Sequence, residues 1–322
     1  MSHVMRALAA LVLIVVAAAD ARAQAWPDRS IRIVVPFAAG GPADVYARVL
    51  GQRLAGPLGQ SIVVENKPGA GSVLGTDGVA KSPPDGYTLL MMSNTHTVNE
   101  TLVPNKPYEL MRDFVPVAPV NYSDLLLVLH PSVPAKDLKE LLQLVKSKPG
   151  AYNYASSGIG TPYHMAGELF KAMAGLDIVH VPYRGSTGAR TDVIGGHVHM
   201  MFDAITTMAQ NVQAGTLRGL GTTGKARSPV LPEVPTVAEA GVPGYEATIW
   251  LGLMAPAGTP KAIVERLNAE VGKTIAAPDL RAEWLRQGAQ PMIMATAEFD
   301  AYLRADIVKW GNIVRSANIK PE

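Results

Sequence analysis

The stretch IRIVVPFAAGGPADVYAR, Ile31 to Arg48, restricts the fold more than any other. An apolar, β-branched run ends at Phe37. It passes through Ala38, Ala39, Gly40 and Gly41 and enters a segment whose Val45, Val49, Leu50 and Leu54 recur at helical spacing. Pro42 suits the first helical position, and Gly56-Pro57 reads as the helix end. The same grammar returns along the chain. A strand over Ser61–Glu65 empties into NKPGAGSVLG, a helix runs to Ala80, and a PPDG turn leads to a strand over Tyr87–Met92. Further on, a strand over Tyr152–Ala155 empties into SSGIGTP. It leads to a helix over Pro162–Ala174 with Met165, Leu169, Phe170 and Met173 on its apolar face. A strand over Ile178–Val181, the loop PYRGST, a short helix through Val193 and a strand over Val198–Asp203 follow. Strands alternating with helices imply parallel sheets with covered faces. Near the end, Ala247–Met254 reads as a strand. Ile263, Leu267, Val271 and Ile275 form one helical stripe, and Phe299, Leu303, Ile307 and Trp310 another, both core-facing.

With 322 residues the chain has room for one or two domains. A net charge of +2, spread evenly, gives no electrostatic footprint for nucleic acid or an anionic membrane. The first residues read as an export signal. Arg6 precedes the unbroken apolar run Ala7–Ala19, and small residues offer cleavage after Ala23 or Ala25. Thirteen apolar residues are too few to span a bilayer. Removing residues 1–23 takes away Arg6, Arg22 and Asp20 and leaves a net charge of +1. The mature protein is expected to be soluble and exported. There is no cysteine, which excludes a lipidated N-terminal Cys, thiolate metal sites and a thiol nucleophile.

A loop of Ala and Gly offers a partner little but its backbone. At a helix N-terminus the backbone N–H groups are unpaired and the end carries partial positive charge, so Ala38–Gly41 reads as a socket for an anionic oxygen. Asp44, in the first helical turn, either complements that dipole or touches the ligand. Tight βα turns also contain Gly for chain geometry alone, but in open α/β sheets ligands bind beyond the carboxyl ends of the strands, where these loops lie. Other chemistries fit less well. The run Gly69 to Gly75 misses the dinucleotide fingerprint by one place, and no P-loop or nucleophile elbow is present. His197 and His199 on one strand would share a face, but no third metal ligand is evident. An exported enzyme would use Ser157 and His164 as its reactive pair.

The order and spacing of VVPFAAGGPADVYAR, VVENKPGAGSVLG, PPDGYTLL, YASSGIGTPYHMAGELFKAMAG, VHVPYRGSTGARTDVIGGHVHMMFD, LPEVPTVAEAGVPGYE and WLGLMAPAGTP resemble the Bug-type solute-binding receptors of tripartite tricarboxylate transporters. The resemblance covers essentially the whole mature chain. It implies a type II periplasmic binding-protein fold, with two α/β domains joined by crossing strands near Val115–Leu129 and Gly244–Met254. Residues 24–122 with 246–322 would form one domain and 123–245 the other, closing on a small carboxylate between them. It implies delivery of that ligand to membrane permease subunits, with no catalysis, no cofactor, no metal and a monomeric receptor. An exported α/β enzyme acting on a small acid is the second reading, and a sensor for a signalling partner the third. Carried over by position, Phe37, Ala38, Ala39, Gly40, Gly41, Asp44, Gly69, Ala70, Gly71, Ser72, Ser93, Asn94 and Thr95 would line one wall. Ser156, Ser157, Gly158, Gly160, Thr161, His164, Tyr183, Arg184, Gly185 and Asp203 would line the other. The chain departs from the family's usual pattern at Ser72, at Arg184 and in NTHTVNETLVPNKPYEL, where Lys106 precedes a Pro-Tyr pair. Arg184 could hold a carboxylate bidentately or turn to solvent.

Overall fold

A computed structural model describes residues 26–320. The export signal expected over residues 1–23, with its cleavage points, lies outside the described residues. The chain begins as two successive βα units: β1 (Ile31–Val35), α1 (Pro42–Leu58), β2 (Ile62–Asn66), α2 (Val73–Ala80) and β3 (Thr88–Ser93). Helix α3 (Asn94–Leu102) follows β3 without a break, and a short α4 (Leu110–Asp113) leads into β4 (Phe114–Leu129). After α5 (Leu138–Ser147) the βα pattern resumes with β5 (Asn153–Ser156), α6 (Pro162–Ala174), β6 (Val179–Pro182), α7 (Ser186–Ile194) and β7 (Met200–Ala204). Helix α8 (Ile205–Gln213) and β8 (Arg218–Thr222) precede β9 (Thr248–Pro256). The chain ends with α9 (Lys261–Ala276), α10 (Pro278–Gln287), β10 (Ala289–Pro291) and α11 (Thr296–Ser316).

The strands lie in the order β2-β1-β3-β9-β4-β7-β5-β6, with β10 and β8 also paired to β4. Strand β1 is parallel to β2 and β3, and β5 is parallel to β6 and β7, as the alternating pattern predicts. Strand β9 runs antiparallel to β3 and β4, and β4 antiparallel to β7. The 16 residues of β4 divide sharply. Phe114–Asp124 pair with β9, and Leu125–Leu129 pair with β7. One strand therefore stitches the two βα arrays together. This is the two-array α/β architecture that the resemblance implies.

Each array has its own apolar core. Ile31, Ile33, Leu50, Leu54, Leu253, Leu267, Val271 and Ile275 pack around the first. Leu125, Leu127, Tyr154, Phe170, Phe202 and Tyr245 pack around the second. In α11, Phe299, Leu303 and Trp310 are buried and Ile307 sits at the edge. In α6, Met165 and Phe170 are buried, but Met173 is exposed. Helix α1 does not stop at Gly56-Pro57. It runs to Leu58 and ends at Gly59, which takes the left-handed conformation at φ 69°. Only Leu58 follows Pro57 in the helix, and the proline forfeits the single bond that its own missing N–H would have made to the preceding turn. His197 and His199 precede β7 rather than lying in it. His197 is exposed beside Asp192 at 3.4 Å, whereas His199 Nδ1 lies 2.7 Å from Asn153 Oδ1. They form no paired face.

Candidate functional site

A cleft of about 890 Å³ opens where the two arrays face each other. Five helices begin at it. Gly41, Pro42 and Ala43 of α1, Ser72 and Val73 of α2, and Ser93 and Thr95 of α3 line one wall. Thr161, Pro162 and Tyr163 of α6 and Gly185 and Ser186 of α7 line the other. Four of these N-termini have no side-chain cap; only Ser93 caps its helix, accepting from the Thr95 N–H at 3.3 Å. The N–H groups of Gly41, Ala43, Ser72 and Ser186 find no acceptor among the described residues. The uncapped ends point partial positive charge at one space. Among the described residues the lining contains Lys106 and Arg184 and neither Asp nor Glu. Among the described residues the buried hydroxyl of Thr95, a lining residue, lacks a partner, and that of Tyr163 has only the Asp203–Arg190 pair beside it. The remaining wall is apolar, from Phe37, Leu102, Val103, Ile159, Ile249 and Leu251. Such a site suits a small anion with an aliphatic body.

The two walls touch. A Cβ built on Gly185, at φ 117°, would lie 2.8 Å from the Ala38 Cβ, and one on Gly41 would lie 3.5 Å from Ser186 Oγ. At another rim, a Cβ on Gly160 would lie 2.8 Å from Leu102 Cδ2, and one on Gly71 would lie 3.6 Å from the Ile159 carbonyl oxygen. Glycine at 185 and 160 lets the Ala38 and Leu102 side chains approach the opposing backbone this closely.

Of the residues expected at the site, Phe37, Ala38, Gly41, Gly69, Ala70, Gly71, Ser72, Ser93, Thr95, Ser157, Gly158, Thr161, Tyr183, Arg184 and Gly185 line the cleft. Eight others do not. Ala39 and Gly40 are exposed outside it, and the Gly40 N–H is already spent on Asp44 Oδ2 at 3.0 Å. Asp44 is turned into its own helix, with Arg48 Nε at 2.9 Å from Oδ1. Burial pushes its carboxyl up, but hydrogen bonds from Arg48, the Gly40 N–H and Asn66 outweigh that and hold it below the usual range. Asn94 braces β9, donating to the Thr248 carbonyl and accepting from the Trp250 N–H. Ser156 Oγ sits 2.6 Å from His180 Nε2 and accepts from the Gly158 N–H. His164 Nδ1 accepts from the buried Gly160 N–H at 3.1 Å, and its ring stacks on His180 at 4.1 Å. Asp203 is fully buried in an ion pair with Arg190, whose Nη2 also donates to Ser186 Oγ at 3.1 Å.

Two buried imidazoles, His96 and His164, and the half-buried His180 thus hold the loops rather than the ligand. His96 Nδ1 accepts from the Ser93 N–H at 3.1 Å, which makes Nε2 the protonated nitrogen. It donates to Thr76 Oγ1 at 3.0 Å, and Thr76 in turn donates to the Ser72 carbonyl. Burial lowers His96 and His164 to about 4 and His180 to about 3, the neighbouring His164 adding to the last. All three are neutral at neutral pH.

Sequence reasoning missed the wall at the end of α3 and just beyond it, where Asn99, Leu102, Val103, Asn105, Lys106 and Pro107 line the cleft. The one available signal was the unusual Lys106 before Pro-Tyr. It also missed Ile249 and Leu251, which read only as a crossing strand.

Residues 46–319 match the model of the family described as tripartite tricarboxylate transporter family receptor, TctC. A protein of Pseudomonas sp. from the tcbD–tcbE intergenic region is 43% identical over 281 residues, covering 85% of this chain and 83% of its own. Protein BugT of Bordetella pertussis is 36% identical over 305 residues, 94% of each chain. Among solved structures, an R. palustris protein with adipate superimposes with a TM-score of 0.89 at 34% identity, over 92% of this chain and 100% of that one. MatC from Rhodopseudomonas palustris with bound malate gives a TM-score of 0.84 at 34% identity, over 90% and 100%. Fold, sequence and cleft agree: the chain belongs to the TctC family of tripartite tricarboxylate transporter receptors, the Bug-type solute-binding proteins.

Proposed function

We propose that this protein is a periplasmic receptor that captures a small organic carboxylate and delivers it to the permease subunits of a tripartite transporter. The observation that carries this reading is the convergence of five helix N-termini, four of them uncapped, on a cleft lined by two cations and no acid. The adipate and malate held by its structural relatives support the same ligand class. Residues 24–122 with 246–322, and residues 123–245, are two lobes hinged where β4 and β9 pass between the arrays. Ligand draws them together, and the glycine contacts across the rims favour the closed form. The socket is the donor set of Gly41, Ala43, Ser72 and Ser186, with Arg184 at its margin. Binding, not catalysis, is the role. His164 gives its Nδ1 to Gly160 and is no base for Ser157.

The test is thermal unfolding of the mature protein, stripped of co-purified ligand by unfolding and refolding, with small carboxylates and their matched amides. A ligand at a hundredfold excess over its Kd stabilises the fold by about 2.7 kcal/mol, a readily measured rise in Tm. A rise with an acid and none with its amide is expected. Equal effects of acid and amide, or no rise with any acid, would refute the carboxylate socket.

A further inference from the structure

We propose that Asn94 is a positioning residue for lobe closure: its side-chain amide pins β9 to the start of α3 and so sets the level at which the two lobes turn. This rests on the two-lobe reading above. Strand β3 pairs with β9 from Leu90 opposite Met254 to Ser93 opposite Leu251. One residue further the chain leaves the sheet and begins α3, which brings Ser93 and Thr95 to the cleft. From Trp250 onward this edge of β9 has no strand beside it, and Asn94 takes the strand's place. The residue is 1% exposed. Its Oδ1 accepts from the Trp250 N–H at 3.0 Å, and its Nδ2 donates to the Thr248 carbonyl at 3.1 Å. A carboxamide carries the donor and the acceptor of a peptide group, so the side chain continues the ladder that the backbone leaves. A second tie runs beside it. One carboxylate oxygen of Asp306, on α11, accepts from Thr97 Oγ1 of α3 at 2.6 Å and from Trp250 Nε1 at 3.3 Å.

The level of this clamp gives it its role. Strand β4 stays with β9 as far as Asp124 opposite Thr248, and the next residue, Leu125, pairs with Ala204 of β7. Strand β9 changes hands at the same level. Thr248 is held by Asn94, whereas the Ala247 N–H donates to the Thr223 carbonyl, beside β8 of the second array, at 3.1 Å. Both crossing chains therefore exchange partners between neighbouring residues, at 124/125 and at 247/248. Without Asn94 the ladder on this edge would stop at Leu251, and Thr248 to Trp250 would be held from the β4 side alone. The turn would then spread over several residues of β9. A hinge confined to a few residues restricts the lobes to one rotation, here the one that brings Ala38 to Gly185 and Leu102 to Gly160. Ile249 and Leu251, on the same stretch of β9, line the cleft, so the clamp also fixes that wall.

The experiment compares ligand-free wild type with Asn94→Ala. The chain has no cysteine, so nitroxides on Gln52→Cys of α1 and Thr191→Cys of α7, both exposed, report the interlobe distance by pulsed electron resonance. Amide exchange is followed by NMR on the unlabelled proteins. In wild type the Trp250 N–H should be protected to within tenfold of that of Gly252, which pairs with Met92 of β3. In Asn94→Ala the Trp250 amide should exchange at least tenfold faster, that of Gly252 should stay within threefold of wild type, and the interlobe distribution should broaden toward longer distances. If Trp250 exchanges far faster than Gly252 in wild type, the clamp is not held, and the proposal fails without any variant. If Asn94→Ala frees Trp250 but keeps the wild-type interlobe distribution, Asn94 is a local brace only, and the proposal is overturned. Adipate and malate added to wild type separate this failure from that of the receptor reading. A shorter interlobe distance together with a higher Tm leaves that reading standing when the clamp falls.

Discussion

Acid should dismantle this protein through three histidines. His96, His164 and His180 are each stitched to a cleft loop, at Ser93, Gly160 and Ser156. Each ring titrates far below its unfolded value, at about 4, about 4 and about 3. A base whose folded pKa lies below its unfolded pKa takes up a proton most easily by unfolding. Its contribution is therefore whole above about pH 6.5 and is lost as the pH falls toward 4. At about pH 5 each unfolded imidazole is almost fully protonated and each folded one almost not, which costs about 2 kcal/mol per ring, or roughly 6 kcal/mol for three. The stacked His164–His180 pair titrates as a unit, with Glu168 and Lys171 beside it. Asp124 works the other way. Burial, aided by Glu246, raises it to about 6, so protonating it in the fold returns about 1.4 kcal/mol at that pH. The net loss of several kcal/mol is a large share of an ordinary domain's stability. Urea unfolding at pH 8 and pH 5 measures it, with His180→Gln as the second arm. Glutamine keeps a polar partner for Ser156 but does not titrate. The variant should show about 2 kcal/mol less dependence on pH than wild type. Equal pH dependence in the two proteins, or a wild type as stable at pH 5 as at pH 8, would refute the role assigned to these rings.

Three further outcomes follow from the geometry. Gly41→Val places a branched side chain at the α1 N-terminus facing Ser186, and should weaken carboxylate binding at least tenfold in calorimetry while lowering stability by only about 1 kcal/mol through the poorer cap. Ala38→Leu meets Gly185 across the rim and should disfavour closure by about 1–3 kcal/mol, so small-angle scattering should show the radius of gyration no longer shrinking with ligand. Asp203→Asn strands the buried Arg190 and should cost roughly 3–5 kcal/mol in chemical denaturation; a loss under 1 kcal/mol would mean the pair is not desolvated.

The βα units, the apolar stripes of α9 and α11 and the glycine-rich loops were legible in the sequence, because each depends on residues a few positions apart. The helix starts at Pro42 and Pro162 are local events of the same kind, set by φ and by a missing N–H. The resemblance, resting on motif order along the whole chain, reached the family. What sequence could not decide was which groups in those loops remain free. Asp44, His164 and Asp203 look like ligand contacts from their positions, but Gly40, Gly160 and Arg190 claim them first. Gly40, the most suggestive donor in the opening loop, is spent for the same reason. A hydrogen bond is a competition among all groups within reach, and reach is set by tertiary packing. The wall after α3 is the converse case. Lys106 reads as a solvated lysine until the fold buries its side chain and pairs its ammonium with Glu100. Local spacing fixes backbone form, whereas the exposure and pairing of a charged side chain are settled only when distant strands and helices surround it.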